Sequence, residues 1–204
     1  MADVKQQARD KSRELFRQGI VEAAQRVFID KGFAGARMAD IATEAGLATG
    51  TLYNYFRSKE AIFAAMMTVI GEEFLGEMTA QLDELTSPLQ RIFGCVEIGA
   101  RFTIDNHAIY RVFHELGPES NHPPEIAERH QQLEGRYRQM LHDTVRQAQA
   151  AGEVRDDLEP EALMMVIAMA LNGVLDAIFA AGATVDREAV LDVFNKVLSK
   201  GIEP

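Results

Sequence analysis

The sequence predicts an all-α fold of about nine helices, and three observations support this. Apolar residues recur at the three- and four-residue spacing of a helix, as in Met38, Ile41, Ala42 and Ala45. There is no convincing run of alternating apolar and polar residues, and β-branched residues do not cluster. Apolar residues make up 47% of the chain and charged residues 25%, so the chain can bury a sizeable core and is not disordered as a whole.

The first three predicted helices lie near the N-terminus. An apolar stripe from Phe16 to Phe28 marks the first helix, and Gly32 supplies its stop signal. Two short helices follow and are joined at Gly46, which breaks the apolar pattern between them.

The later predicted helices begin at capping residues or prolines. Such residues are favoured at helix starts because they satisfy or remove the first unpaired N–H groups. The starts are Ser58, Ser87 with Pro88, Asp105 or Asn106, Pro160 and Asp186.

The stretch from Ala162 to Ala183 is long and apolar enough to be considered as a membrane span. Asn172 and Asp176 lie inside it, however, and positively charged anchors are missing near its ends. We therefore expect a helix that is buried on nearly all sides within the protein.

The polar N-terminus and the single cysteine, Cys95, favour a cytoplasmic protein without disulfides.

Charge is distributed unevenly along the chain. The net charge is −10 at pH 7, but the first 60 residues carry +2 and the rest carry −12. Phosphates respond mainly to charges within about 10 Å, so a mildly basic N-terminal part on an acidic body is compatible with DNA binding.

Two short helices joined at Gly46 fit a helix-turn-helix motif. Four apolar residues are placed to hold these helices together and against the first helix. The outward side of the second short helix is polar, and its N-terminal N–H groups are available to phosphates. The apolar residues are Ile41, Ala42, Leu52 and Phe56, and the outward residues are Thr49, Gly50, Tyr53 and Asn54.

A longer set of residues around this motif is a more specific sequence signal than two helices joined by a turn. It consists of Gly32-Phe33, Asp40-Ile41-Ala42, Ala45-Gly46-Leu47, Gly50-Thr51-Leu52-Tyr53-Asn54-Tyr55-Phe56 and Ser58-Lys59-Glu60. This string closely resembles the DNA-binding domain of the TetR/AcrR family of bacterial transcriptional regulators. The resemblance covers about residues 12–70 in sequence and the whole chain in layout.

The resemblance implies a helix-turn-helix DNA-binding domain at residues 1–57 and a helical domain for effector binding and dimerisation at residues 58–204. It implies a homodimer that binds a palindromic DNA operator, acts as a repressor and is released by a small, largely apolar effector. It implies no cofactor and no enzymatic activity.

Carried over by position, the resemblance also assigns the DNA contacts. Gly50 would allow close approach of the second short helix to DNA. Base edges or nearby phosphates would be reached by Thr49, Thr51 and Asn54, and the backbone would be contacted by Tyr53, Tyr55 and Lys59.

Two departures from the family pattern concern the same motif. Where the family often has a capping Thr, this chain has Arg37, which cannot accept the cap hydrogen bond but can reach a phosphate. Where the family often has Ser-Lys, this chain has Ala48-Thr49. We hypothesise that Arg37 partly replaces the missing lysine. For Tyr53 and Tyr55 a role as half-buried packing residues is the alternative, and for Lys59 the alternative is a solvated lysine at a helix start.

The C-terminal part is expected to dimerise and to bind the effector. The last two helices, Pro160–Ala180 and Asp186–Leu198, are apolar enough to form a four-helix interface with a second copy, and the last is expected to bury Val197. The effector site would lie between the long fourth helix and the middle helices, where Met and Phe can adapt to apolar ligands. Its candidate residues are Met66, Met67, Phe74, Phe93, Phe102, His107, Phe113, Met165, Asn172 and Asp176.

Several alternatives remain open. The apolar candidates could simply be core, and Asn172 and Asp176, one turn apart, could bind a ligand or tie the dimer together. His107 and His114 would allow a metal-responsive regulator of the same fold, although their spacing matches no strong metal signature. An all-helical enzyme lacks support, since no Gly-rich phosphate loop, nucleophile elbow or HExxH occurs. A structural dimer whose N-terminal part binds protein is a further alternative.

Overall fold

The computed structural model describes residues 2–117, 121–181 and 186–203, and within them it contains nine α-helices and no strand. The predicted all-α fold of about nine helices is confirmed. The helices are α1 (Ala2–Gly35), α2 (Met38–Glu44), α3 (Thr49–Tyr53), α4 (Lys59–Asp83), α5 (Pro88–Asp105), α6 (His107–His114), α7 (Pro124–Ala150), α8 (Pro160–Ala181) and α9 (Arg187–Ile202).

Helix α1 is interrupted near its C-terminal end by Gly32. This residue has φ 69° and ψ 166°, a backbone conformation that side chains with a Cβ disfavour. The regular part of α1 therefore ends where the sequence predicts a stop, and one further turn follows up to Gly35.

The chain divides into two compact units, each formed by two stretches of sequence. Unit 1 comprises residues 1–71 and 108–132, and unit 2 comprises residues 72–107 and 133–204. The predicted functional division after residue 57 stays a prediction.

The core of unit 1 is centred on three aromatic rings. The centroids of Phe28, Phe33 and Phe63 lie 5.1 to 5.6 Å apart, at separations where aromatic rings attract one another. Ile109 of α6 and Ile126 of α7 complete this core. The first three helices therefore share one core with the beginning of α4, α6 and the beginning of α7.

Unit 2 contains two clusters of buried side chains. One includes Ile92, Val145 and Ile167, and the other includes Met78, Cys95 and Leu141. Burial raises the pKa of the Cys95 thiol to about 12, so this cysteine stays protonated and unreactive at neutral pH.

The expectation that α8 is buried on nearly all sides is wrong for the single chain. Leu163, Met164 and Ile167 are buried, whereas Met165 and Met169 are 55% and 68% exposed. The reason is that α8 packs on α5 and α9 through one side and leaves another side uncovered.

The expected burial of Val197 on α9 is also wrong for the single chain, since this side chain is 67% exposed. Leu191, Phe194 and Leu198 pack against the core of unit 2 instead.

Within the described part of the chain, no helix combines the length and apolar character that a bilayer crossing requires.

Candidate nucleic-acid interface

The turn between α2 and α3 has the geometry of a helix-turn-helix. Gly46 adopts φ 68°, and the N–H of Leu47 donates to the carbonyl of Ala42 at 2.8 Å. These two features change the direction of the chain between α2 and α3, because the positive φ turns the backbone and the hydrogen bond satisfies an end carbonyl of α2. The role predicted for Gly46 in this turn is confirmed.

Buried side chains hold α2 and α3 in place, as the sequence predicts. Ile41 and Ala42 of α2, Leu52 of α3 and Phe56 just after it are all 3% exposed or less. All four belong to the same core as Phe28 and α1. The orientation of the five-residue α3 therefore comes from tertiary packing, since a helix this short is not stable alone.

The opposite side of α3 is polar and open. Thr49, Gly50 and Asn54 are exposed, and Tyr53 is 53% exposed. A Cβ built on Gly50 would meet no atom within 4 Å, so this position offers space for close approach. Thr51 is half-buried. The structure thus places four predicted contact residues on one accessible surface, which we call the α3 face: Thr49, Gly50, Tyr53 and Asn54.

Arg37 is the N-cap residue of α2 and is exposed. Its side chain has no acceptor to offer, so only one half of a capping box forms: Asp40 accepts from the Arg37 N–H at 3.1 Å. Asp40 also pairs with Lys31 at 2.9 Å, and this hydrogen bond, with that from Arg37, holds the pKa of the Asp40 carboxyl below its usual range. The cap is therefore supplied by Asp40, and the Arg37 guanidinium remains on the surface.

Lys59 has partners that the sequence does not indicate. Its Nζ donates to the carbonyls of Phe33 at 2.7 Å, Ala34 at 3.3 Å and Ala36 at 3.2 Å. The ammonium also lies 4.7 Å from the centroid of the Phe33 ring. A cation at the C-terminal end of a helix stabilises its unpaired carbonyls. The geometry thus supports a structural role for Lys59, and its DNA contact stays a prediction.

Tyr55 is half-buried and packs against α1. Its ring stacks on Phe16 with centroids 6.0 Å apart, and its carbonyl accepts from Arg17 at 2.8 Å. Arg17 also lies over the Phe56 ring at 4.1 Å. The packing alternative for Tyr55 therefore has direct support, while its contact with DNA stays a prediction.

The predicted effector residues do not form one cluster. In unit 1, Met66 is buried, and Met67 and Phe113 pack against the unit 1 core. In unit 2, Phe74 and Phe102 are neighbours, with ring centroids 5.0 Å apart. Phe93 packs against the other cluster of that unit.

The remaining effector candidates are open to solvent or lie outside the described side chains. His107, Met165 and Asn172 are exposed, and the side chain of Asp176 lies outside the described part. Tyr137 of α7 was not among the candidates, but its ring lies 5.7 Å from that of Phe74. Its spacing of four residues from the apolar Leu133 and Leu141 is the signal that could have found it.

An open groove of about 480 Å³ lies in unit 1, and none of the predicted effector residues lines it. Its lining combines small and apolar side chains, including Val21, Ala61 and Ala65, with charged side chains such as Glu14 and Arg129. Among the residues that the structure describes, no group of three or more His, Cys, Asp or Glu could hold a metal ion.

Both the sequence and the fold are similar to those of known transcriptional regulators. Residues 20–66 match the model for bacterial regulatory proteins of the TetR family, and residues 88–202 match that for the C-terminal part of BetI-type transcriptional repressors. The HTH-type transcriptional repressor KstR2 of Mycolicibacterium smegmatis is 25% identical over 146 residues, which cover 70% of this chain and 69% of the relative. The chain spans about half the length of other curated relatives it matches.

Solved structures share the fold. A transcriptional regulator of Saccharomonospora viridis in complex with choline gives a TM-score of 0.81 at 21% identity, covering 92% of this chain and 97% of that one. FadR of Bacillus subtilis in complex with stearoyl-CoA gives 0.78 at 18% identity, covering 91% and 99%. Since the second family model alone spans more than half of the sequence, the resemblance is confirmed: the chain belongs to the TetR family of bacterial transcriptional regulators, which are DNA-binding proteins and not enzymes.

Proposed function

We propose that this protein is a ligand-responsive repressor that binds a palindromic operator as a homodimer in the cytoplasm. The observation that carries the proposal is the α3 face, a polar surface held rigidly by the buried Leu52 and Phe56. Hydroxyl, amide and phenol groups suit hydrogen bonds to base edges and phosphates. Arg37 would add a phosphate contact at the start of α2.

The homodimer is supported by an apolar surface in unit 2. We call it the α8–α9 surface, and each of its side chains is more than half exposed in the single chain. Exposed apolar surface of this kind is typical of interfaces, because covering it removes it from water. Its members are Met165, Val166 and Met169 of α8 and Val193 and Val197 of α9.

The effector is proposed to be a molecule with a long apolar part, such as the acyl chain of a fatty acyl-CoA. Support comes from a relative in Bacillus subtilis named as a fatty acid metabolism regulator and from FadR, whose structure contains stearoyl-CoA. Phe74, Phe102 and Tyr137 in unit 2 provide adjacent aromatic rings for an apolar chain. Choline, which is bound in the S. viridis regulator, is the comparison ligand for the test.

DNA binding is tested by selecting duplexes from a randomised pool with the full chain. We expect a sequence with two-fold symmetry whose affinity falls steeply as salt rises. Tyr53→Ala with Asn54→Ala should abolish discrimination between this sequence and a scrambled one. Gln131→Ala, also an exposed amide in unit 1, is the matched control and should bind normally. A chain that selects no sequence would refute the proposed function.

Effector binding is tested by thermal unfolding with stearoyl-CoA, stearate or choline chloride. A molecule that binds only the folded protein raises the midpoint, and the rise grows with the logarithm of its concentration once this exceeds the dissociation constant. We expect stearoyl-CoA to raise the midpoint and to release the selected duplex, and Phe102→Ala to weaken both effects. A rise with choline alone would reject the acyl-CoA proposal and leave the repressor proposal standing.

A further inference from the structure

We propose that the N-terminal part of α1 is an arm that binds the phosphate backbone of DNA beside the operator half-site. The inference rests on the proposed function, since it adds contacts to the same complex. We define the α1 arm as residues 6–16, the part of α1 that precedes the core of unit 1.

The α1 arm is surrounded by solvent. Every side chain that the structure describes between Gln6 and Phe16 is exposed, whereas Ile20 and Ala24 farther along α1 are buried. Most helices in proteins are stabilised by packing one face against other elements. Phe16 at the end of the arm stacks on Tyr55, but the described side chains of residues 6–15 are exposed, so their surface is free for a partner.

The arginines of the arm lie on the same side of α1 as the residues that contact the core farther along the helix. Arg9, Arg13 and Arg17 are spaced by four residues, and the spacing of three or four continues into Ile20 and Ala24. Residues at these spacings lie on the same side of a helix. The side that contacts the core in the second half of α1 is therefore the side that carries the arginines in the first half.

The acidic residues of the arm lie beside this stripe. Asp10 accepts a hydrogen bond from Gln6 at 3.0 Å, and Glu14 lies 3.9 Å from Arg17. Arg13 and Arg9 are exposed and stand about one and about two turns beyond Arg17. The stripe thus presents positive charge in a protein whose net charge is −10.

Contacts with α1 place the stripe next to the motif that faces DNA. Arg17 donates to the carbonyl of Tyr55, and Phe16 stacks on the Tyr55 ring, two residues after the end of α3. Since a helix rises 1.5 Å per residue, Arg13 and Arg9 lie about 6 Å and about 12 Å farther along the axis. The stripe therefore begins at the end of α3 and extends away from it.

Charge complementarity identifies the occupant as the DNA backbone. Guanidinium groups bind phosphate oxygens through paired N–H donors, and duplex DNA presents a charge about every 1.7 Å along its axis. Contacts of this kind carry no sequence information but fix the position of a protein on the duplex. The partner class is thus duplex DNA flanking the recognised sequence.

The experiment compares the wild-type chain with Arg9→Ala/Arg13→Ala on two duplexes. One is a 40-bp duplex (roughly four helical turns) centred on the sequence selected above, and the other is a shortened duplex that ends at the recognised sequence. Affinity is measured by fluorescence anisotropy from about 50 to about 200 mM salt, the range in which phosphate contacts are most visible. Alanine preserves the helix, which circular dichroism verifies. Lys11→Ala is matched with Arg13→Ala as a control on the other side of the same helix.

The salt slope is the decrease in the logarithm of affinity per unit increase in the logarithm of salt concentration. On the long duplex, two arginines on each of two protomers should contribute about 3 to 4 to this slope. The wild-type protein should therefore lose about 100-fold more affinity than the double variant across this salt range. On the shortened duplex the difference should largely disappear, and Lys11→Ala should change less than Arg13→Ala.

Equal slopes for the wild-type protein and the double variant on the long duplex would overturn the inference and leave the proposed function intact. A change in oligomeric state, measured by sedimentation, would overturn it by assigning the arm to a second copy. Absence of any sequence-specific binding by the wild-type chain would refute the proposed function and the inference together.

Discussion

The α3 face and the α8–α9 surface are both exposed, but their chemistry is opposite. The α3 face consists of threonine, glycine, tyrosine and asparagine, whose polar groups are satisfied by water when no partner is bound. The α8–α9 surface consists of methionine and valine side chains that are 55% to 68% exposed. Polar groups allow reversible binding to a polar ligand such as DNA, whereas apolar groups favour a partner that remains bound.

The two surfaces also differ in what supports them. A five-residue helix carries the α3 face, so its position depends on buried neighbours such as Leu52. The α8–α9 surface lies on helices of 22 and 16 residues that also contribute to the core of unit 2. Exposure alone therefore does not identify a functional surface: the type of side chain and the support beneath it do so.

The largest effect is expected from placing charge on the α8–α9 surface. Met169→Asp with Val197→Asp would bury carboxylates in the proposed dimer interface, which costs about 3 to 5 kcal/mol and weakens association at least about 100-fold. Sedimentation equilibrium measures the monomer fraction. Met169→Leu, which keeps an apolar side chain, should leave the association constant nearly unchanged. An unaltered dimer in the double variant would show that this surface is not the interface.

The next largest effect tests the support beneath the α3 face. Leu52→Ala should lower the free energy of unfolding by about 3 kcal/mol, because it removes buried methyl groups and leaves a cavity. Its neighbour Tyr53→Ala should change that free energy by no more than about 0.5 kcal/mol, because its side chain is exposed. Urea unfolding followed by circular dichroism measures both. Similar losses in the two variants would contradict the described packing of α3.

A smaller effect is expected from replacing Lys59 or Arg37, and it distinguishes a cation that stabilises the fold from one that binds DNA. Lys59→Met should lower the free energy of unfolding by about 1 to 2 kcal/mol, since the end carbonyls of α1 lose a charged donor. The salt slope of operator binding should stay the same. Arg37→Ala should do the reverse, with unchanged stability and a slope lowered by about 1 for each protomer. If Lys59→Met lowers the slope as much as Arg37→Ala, Lys59 contacts phosphate after all.

The smallest effect compares two glycines of the motif. Gly46→Ala should destabilise the protein by about 1 kcal/mol, because its φ of 68° is unfavourable for a residue with a Cβ. Gly50→Ala should stabilise it slightly, because Gly50 lies in α3 with open space around it. Operator affinity should nevertheless fall for Gly50→Ala if DNA approaches closely there. Chemical unfolding and anisotropy on the same samples provide both measurements, and unchanged affinity would exclude close approach at Gly50.

Sequence reasoning succeeded where the signal is local. The turn at Gly46 and the stop at Gly32 follow from the φ values that only glycine adopts easily, and the buried Leu52 and Phe56 follow from helical spacing. For the same reason the motif was recognisable as that of a TetR-family regulator, because its residues lie close together in the sequence.

Features that depend on residues distant in sequence could not be predicted in this way. Local sequence was sufficient for the helices, the turn of the motif and the polar character of the α3 face, since these depend on residues within a few positions of one another. Only the structure showed that Lys59 binds the end carbonyls of α1, that Phe74 adjoins Tyr137 and that α8 leaves Met169 exposed. Apolar periodicity identifies which side of a helix avoids water, but whether its own chain or a partner covers that side depends on how the helices pack.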